Sequence, residues 1–195
     1  MEELPPTNNP LGPAIYRAVS KELESSPYNV LEIGAFNGGG TKELASGFPN
    51  TWIYVIDPFV EDGCTKHITE VETGEMMETQ YANFFRNVSG LSNVLLFNQT
   101  SVDFAKDRKE PDDSLIEALS IGWVIIDGAH DYENVTNDYE LAMTMIGDKP
   151  NCGIIFDDLD LQDVGRAYQE FWEKYKDKIS HIGEVVSNSV MVKIN

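Results

Sequence analysis

A chain of 195 residues, 42% hydrophobic and 10% aromatic, is long enough to bury one sizeable core, and its composition fits neither a disordered segment nor a fibre. Its 33 acidic residues against 14 basic ones give a formal charge of −19 with no Lys/Arg cluster to offset it, which argues against nucleic acid and anionic membranes as partners. No apolar run approaches the roughly 20 residues that span a bilayer, MEELPPTNNP lacks the blocks of a signal peptide, and Cys64 and Cys152 match neither a zinc spacing nor a disulfide framework; a soluble cytoplasmic protein with reduced thiols is expected.

In chain order, a Pro/Asn-rich lead is followed by a helical pattern over residues 13–24 and a short β-type run, NVLEIGA. TKELASGF suggests a helix closing at Gly47; WIYVIDPF, NVLLFNQ, GWVIIDGA and GIIFDDL read as further strands. Helical stretches fall at 75–88, 112–119, 132–146 and 164–175, and the last carries Tyr168, Phe171, Trp172 and Tyr175 at core-face spacing. Continuously apolar strands separated by helices predict a parallel sheet covered on both faces. The tail breaks the alternation: HIGEVV, SNS, VMVKI reads as a hairpin with a short polar turn. The expected fold is therefore α/β, a Rossmann-like doubly wound sheet of seven strands, mostly parallel with an antiparallel C-terminal hairpin strand. One domain spans residues 1–195, with residues 1–28 as a helical lead and 60–80 as the one long insertion.

Ligands of such sheets bind at the carboxyl ends of the strands. Strand one ends in EIGAFNGGGT, a Gly-rich turn feeding a helix whose free N–H groups favour a negatively charged group. It is neither GxGxxG nor a Walker loop, which disfavours a pyrophosphate or triphosphate. Strand two ends in Asp57, 23 residues after Gly34, where a carboxylate accepts hydrogen bonds from both ribose hydroxyls. The glycine turn alone could be an ordinary strand–helix connection. Together with Asp57 it points to a nucleoside carrying a carboxylate rather than to a dinucleotide.

These residues resemble a known family. LEIGAFNGGGT, IDPF, IDGAHDYENVTNDYELA and GIIFDDLD, in that order, are similar to the class I S-adenosylmethionine-dependent methyltransferases, and most to the branch of macrocin-type sugar O-methyltransferases. The resemblance runs from about Asn29 to the C-terminus. It implies a seven-stranded sheet with an antiparallel last strand, a methionine side of the cofactor pocket shaped by Glu32, Gly34 and Gly38 with Ala35, Phe36 and Thr41, and a ribose held at Asp57 beside Pro58. Asp127 would border the same pocket. Where relatives often carry an acid near the adenine amine, this chain has Gln99-Thr100-Ser101, so Thr100 and Ser101 stand at that position.

Asp127 ends strand four and Asp157-Asp158 end strand five, so three carboxylates converge at neighbouring strand ends. Carboxylates packed so closely raise one another's pKa, and a hard divalent cation relieves this; oxygen ligands point to Mg2+ or Ca2+. Such an ion would hold a substrate hydroxyl and ease its deprotonation. His130, three residues past Asp127, is placed to take that proton, with an unperturbed pKa of about 6.5. The resemblance likewise carries the metal to Asp127, Asp157 and Asp158 and the base to His130. Each residue also has a plainer reading: Asp127 as a strand end, Asp157-Asp158 as a turn or cap, His130 as an ordinary loop histidine. Tyr132 either lines the pocket or begins a helix, and Asp138 reads as a helix-surface acid.

The expected activity is metal-assisted O-methylation of a small hydroxylated molecule such as a sugar or glycoside. The acidity disfavours anionic substrates. Specificity is expected in residues 60–80 and the first thirty residues, with the pocket open or completed by a second subunit of a homodimer. A nucleoside-binding module without chemistry would not need the carboxylate trio and His130, and a metal-dependent hydrolase would not need the glycine turn and ribose acid. Binding of a nicotinamide dinucleotide would instead favour an oxidoreductase.

Overall fold

The computed structural model describes residues 12–59, 73–106, 113–186 and 188–195. Most of the expected insertion, at 60–72, lies outside the described residues, as do Cys64, His67 and the first eleven residues of the lead.

Seven strands form one sheet in the order β3-β2-β1-β4-β5-β7-β6. They are β1 (Asn29–Ile33), β2 (Ile53–Ile56), β3 (Val94–Phe97), β4 (Ile121–Ile126), β5 (Cys152–Phe156), β6 (Ile179–Val186) and β7 (Ser189–Ile194). The first five pair in parallel, and β7 runs antiparallel to both β5 and β6, as the tail pattern predicts. The chain starts at β1, winds outward to β3 and then crosses back to β4, so the direction of winding reverses between β1 and β4. At such a reversal the loops leaving neighbouring strands part in opposite directions and open a crevice.

The helices are α1 (Gly12–Leu23), α2 (Gly39–Gly47), α3 (Thr73–Val88), α4 (Ser101–Lys106), α5 (Asp113–Leu119), α6 (Tyr132–Ile146) and α7 (Gln162–Tyr175). Side chains alternate across a strand, and here the alternation divides the core in two. Leu31, Ile33, Val124, Ile126, Ile154 and Phe156 pack with Phe104, Tyr139 and Phe171 under α4, α6 and α7. Val30, Ile53, Val55, Trp123, Ile125 and Ile155 pack with Ile15, Val19, Leu44 and Phe84 under α1, α2 and α3. Each such fully buried aliphatic or aromatic side chain contributes about 1.5–3 kcal/mol of transfer free energy. Of the aromatic run on α7, Phe171 is fully buried against Phe156 and Tyr139, and Tyr168 and Tyr175 flank it. Cys152 is a free buried thiol, pushed up to about 11 by burial. Among the described residues, no helix is long and apolar enough to cross a membrane.

Helix α4 is not evident from hydrophobic periodicity, because six residues are too few to show it. Its start is nonetheless encoded: the Thr100 hydroxyl accepts from the Asp103 backbone N–H at 3.0 Å and donates to the Asp103 carboxylate at 2.8 Å.

Candidate active site

Parallel register aligns Ile33 with Ile56 and Ile126, and Ile126 with Phe156, so four strand ends stand level. The residues that follow, 34–38, 57–59, 127–131 and 157–159, therefore share one edge of the sheet.

On the β1–β2 side the site is built mainly from backbone. Gly34 has φ +85°, and a Cβ there would lie 2.2 Å from the Asp127 carbonyl oxygen, so the turn admits only glycine. Gly38 has φ +76° and caps α2, with the Phe84 ring of α3 lying 2.7 Å from where a Cβ would be. Asp57 closes the turn from β2: its Oδ2 accepts from the Ala35 and Phe36 backbone N–H groups at 2.8 and 3.1 Å, and its Oδ1 from that of Phe59 at 2.8 Å. Phe36 and Phe59 hold positive φ, at 50° and 47°, and the Phe36 side chain is 56% exposed. Left-handed backbone at a bulky residue costs of order 1 kcal/mol, and here the carboxylate of Asp57 helps hold both residues in it. Ala35 is buried and Pro58 half-buried beside them.

Glu32 and Thr41 lie beneath this turn. Strand alternation puts Glu32 on the same face as Val30, where it is fully buried and accepts from the Tyr16 hydroxyl at 2.6 Å and from Thr41 Oγ1 at 2.5 Å. Burial pushes the Glu32 carboxyl up to about 7 against the pull of these two hydrogen bonds. The Tyr16 phenol is itself held well above its usual range by burial, then by the charges of Glu32 and Asp127. Tyr16 thereby ties α1 to β1 and α2, a link across 16 residues with no local sign in the sequence. What the sequence does show is an acid inside the apolar run NVLEI, and a buried acid needs donors.

The β4–β5 side is built from charged side chains. His130 Nε2 lies 3.0 Å from Asp158 Oδ2, and Asp158 Oδ1 accepts from Asn188 Nδ2 at 3.0 Å. Asp158 has φ 55°, a conformation that Asp and Asn tolerate better than most residues. Asp157 is buried, and its Oδ1 accepts from the Ser189 hydroxyl and from the Asp158 backbone N–H. The start of β7 therefore braces both acids, a contribution the hairpin pattern does not reveal. Asp127 is pushed well above the usual carboxylate range by burial and then by the charges of Asp157 and Asp158. Asp157 is also raised, chiefly by burial.

One ligand atom each from Asp127, His130 and Asp158 falls within a 4.8 Å cluster. Two carboxylates and an imidazole so close, with mutual repulsion already raising Asp127, suit a divalent cation chemically. Asp157 is not in that set, because its Oδ1 is turned to Ser189. Asp131 caps α6 by accepting from the Asn134 backbone N–H at 3.1 Å. Tyr132 begins that helix and is held to α7, its hydroxyl on Glu170 and its ring 3.6 Å from the Arg166 guanidinium.

Thr100 and Ser101 sit at the end of β3. Thr100 is occupied in capping α4, and Ser101 is nearly buried at the start of that helix, which packs against the α6 helix that carries Asp138. This corrects the reading of Asp138 as a surface acid: it is 1% exposed, because α6 turns this position toward α4 rather than to solvent, and burial raises it to about 7.

Comparison with known proteins agrees with this architecture. A family model described as "Methyltransferase domain" matches residues 31–159. No protein of curated function matches the chain in sequence. Among solved structures, the O-methyltransferase NovP is similar with a TM-score of 0.66 at 13% identity, over 93% of this chain and 80% of NovP. CalS11, a TDP-rhamnose 3'-O-methyltransferase of calicheamicin biosynthesis, gives 0.62 at 12% identity, over 96% of this chain and 80% of its own. A ribosomal protein L11 methylase from Lactobacillus delbrueckii subsp. bulgaricus gives 0.53 at 10%, over 97% and 79%. At these identities the likeness establishes a shared fold and leaves the methyl acceptor open.

Proposed function

Because the chain belongs to the methyltransferase-domain family, we propose that it transfers a methyl group from S-adenosylmethionine to a hydroxyl oxygen of a small neutral or cationic molecule, such as a sugar or glycoside, assisted by Mg2+ or Ca2+. The observation that carries this reading is the adjacency of two unlike halves, a glycine turn clasped by Asp57 and an acid–imidazole cluster of Asp127, His130 and Asp158.

The Gly34 to Gly38 turn would seat the methionine portion, over the support that Glu32, Tyr16 and Thr41 give from below. Ala35, Phe36 and Pro58 would line it, and Asp57, besides clasping the turn, would accept from the ribose hydroxyls. Thr100 and Ser101 would border the adenine. When bound, the cofactor supplies an electrophilic methyl and the cation a positive charge that favours the alkoxide. Asp127 and Asp158 would hold that cation, with the charge of Asp157 behind them. His130 would take the proton of the acceptor hydroxyl, and Asp158, 3.0 Å from Nε2, would orient the ring and stabilise the imidazolium. The surrounding carboxylates disfavour an anionic acceptor.

The test is calorimetric binding of S-adenosylhomocysteine, followed by a methyl-transfer screen of neutral and amino glycosides with EDTA or with added Mg2+. Binding, EDTA-sensitive transfer and a loss of about 100-fold in His130→Gln are expected. Failure to bind the cofactor product would remove the whole reading. Transfer indifferent to EDTA would remove only the cation, and full activity in His130→Gln only the base.

A further inference from the structure

Asn188 and Ser189 stand where the C-terminal hairpin turns into β7, yet their side chains reach different acids at the end of β5. Ser189 donates to Asp157 Oδ1, and Asn188 Nδ2 donates to Asp158 Oδ1 at 3.0 Å. Asp158 is thereby held at three points. Its own N–H donates to Asp157 Oδ1 at 2.9 Å, its Oδ1 takes the Asn188 amide, and the next peptide N–H, of Leu159, donates to the Asn188 carbonyl at 2.8 Å. Asn188 supplies two of these holds, on either side of a residue whose φ of 55° is left-handed. The oxygen left to face the cluster of Asp127, His130 and Asp158 is Oδ2, 3.0 Å from His130 Nε2.

An amide suits this place chemically. An ionised carboxylate only accepts, so the Asn188 NH2 group faces Asp158 while its Oδ1 faces the Ser189 hydroxyl at 3.5 Å. A lysine or arginine there would also donate, but its charge would cancel part of the attraction that the acids exert on a cation. A neutral donor fixes the direction of the carboxylate and leaves its charge in place. Resting on the reading that Asp127 and Asp158 hold a divalent cation, we infer that Asn188 is a positioning residue for that cation, acting through Asp158: it turns Oδ1 to the hairpin and leaves Oδ2 to the cluster. Ser189 has no such part, because the acid it holds lies outside the 4.8 Å set. Groups that orient a metal ligand without touching the metal typically contribute about 10- to 100-fold in affinity. The hairpin is then part of the site although it supplies no ligand to it.

The experiment measures Mn2+ binding to the full chain at pH 8, by loss of the free-ion signal in electron paramagnetic resonance, beside calorimetric titration of S-adenosylhomocysteine without metal. Mn2+ shares the preference of Mg2+ for carboxylate oxygen. Asn188→Ala is expected to weaken Mn2+ binding by about tenfold or more and to leave the affinity for S-adenosylhomocysteine within about twofold. Ser189→Ala is expected to change Mn2+ affinity by less than about threefold. Equal losses in the two variants would mean that any loosening of the hairpin disturbs the cluster, and would overturn the inference. An unchanged Mn2+ affinity in Asn188→Ala also overturns it, while the cation reading stands. Should Asn188→Ala fail to fold, Asn188→Leu, which fills the same space without a donor, decides the question by the same measure. A wild type that binds no Mn2+ overturns the inference together with the cation, and its binding of S-adenosylhomocysteine would leave the cofactor reading in place.

Discussion

The two halves of the site handle negative charge in opposite ways. On the β1–β2 side, Asp57 accepts three backbone N–H groups and Glu32 accepts two hydroxyls, so each acid is answered by donors from the chain itself. On the β4–β5 side, Asp127 is raised by burial and then by the charges of Asp157 and Asp158, with His130 as the nearby group that can carry positive charge. An acid whose hydrogen bonds are met is part of a scaffold. Acids packed against one another await a ligand of opposite charge, and their repulsion is released when it arrives.

The contrast can be broken most severely at Gly34, where the halves touch. Gly34→Ala places a methyl 2.2 Å from the Asp127 carbonyl oxygen at a φ of +85°, and a loss of about 3 kcal/mol of stability is expected together with loss of cofactor binding, read by chemical denaturation and calorimetry. A pair of matched substitutions sharpens the comparison. Asp57→Asn turns an NH2 group toward backbone N–H donors and should lower stability by about 2 kcal/mol. Asp127→Asn replaces a buried carboxyl whose ionisation burial and the neighbouring acids oppose, and should leave the metal-free protein as stable or more so at pH 8, while abolishing its response to Mg2+. Equal losses in the two variants would show that the halves do not differ as described.

The pH profile gives a smaller signal. Glu32 and Asp138 are each raised to about 7 in the folded chain, so between about pH 4 and 7 the folded state holds protons that the unfolded state has released. Their contribution to stability is complete below pH 4, is lost as pH rises toward 7, and is level above it. Melting temperatures in EDTA from pH 4.5 to 8 should therefore fall, and Glu32→Gln with Asp138→Asn should flatten the curve. The smallest effect is that of the cation itself. Mg2+ at ten times its dissociation constant should add about 1.4 kcal/mol at pH 8 in the wild type and nothing in Asp158→Asn.

How much of this is legible in the sequence follows from range. Strands with continuous Val/Ile runs and a tail that changes period make the sheet and its antiparallel edge readable, and residues 132–146 match α6 at both ends because Asp131 caps it and Gly147 stops it. Strand ends also identify which residues reach the edge, so Gly34, Asp57, Asp127, His130 and Asp158 are legible there. Contacts across the chain are not readable in this way. Tyr16 on Glu32 and Ser189 on Asp157 join elements whose packing no local pattern encodes. The same limit explains why Asp157 and Asp158, neighbours in an identical-looking pair, diverge: one turns to β7 and the other to His130. Helix α4, too short for a periodic pattern, is signalled locally by its Thr100-x-x-Asp103 capping pattern.

The contact between Gly34 and the Asp127 backbone carries a further consequence. Asp127 N–H donates to the Ile33 carbonyl, and Gly34 follows directly, so the cofactor turn and the acid loop share a partition one peptide thick. Movement of either loop must be felt by the other. Occupancy on one side and on the other should then be thermodynamically linked, each ligand altering the affinity of its neighbour by an identical factor whichever arrives first.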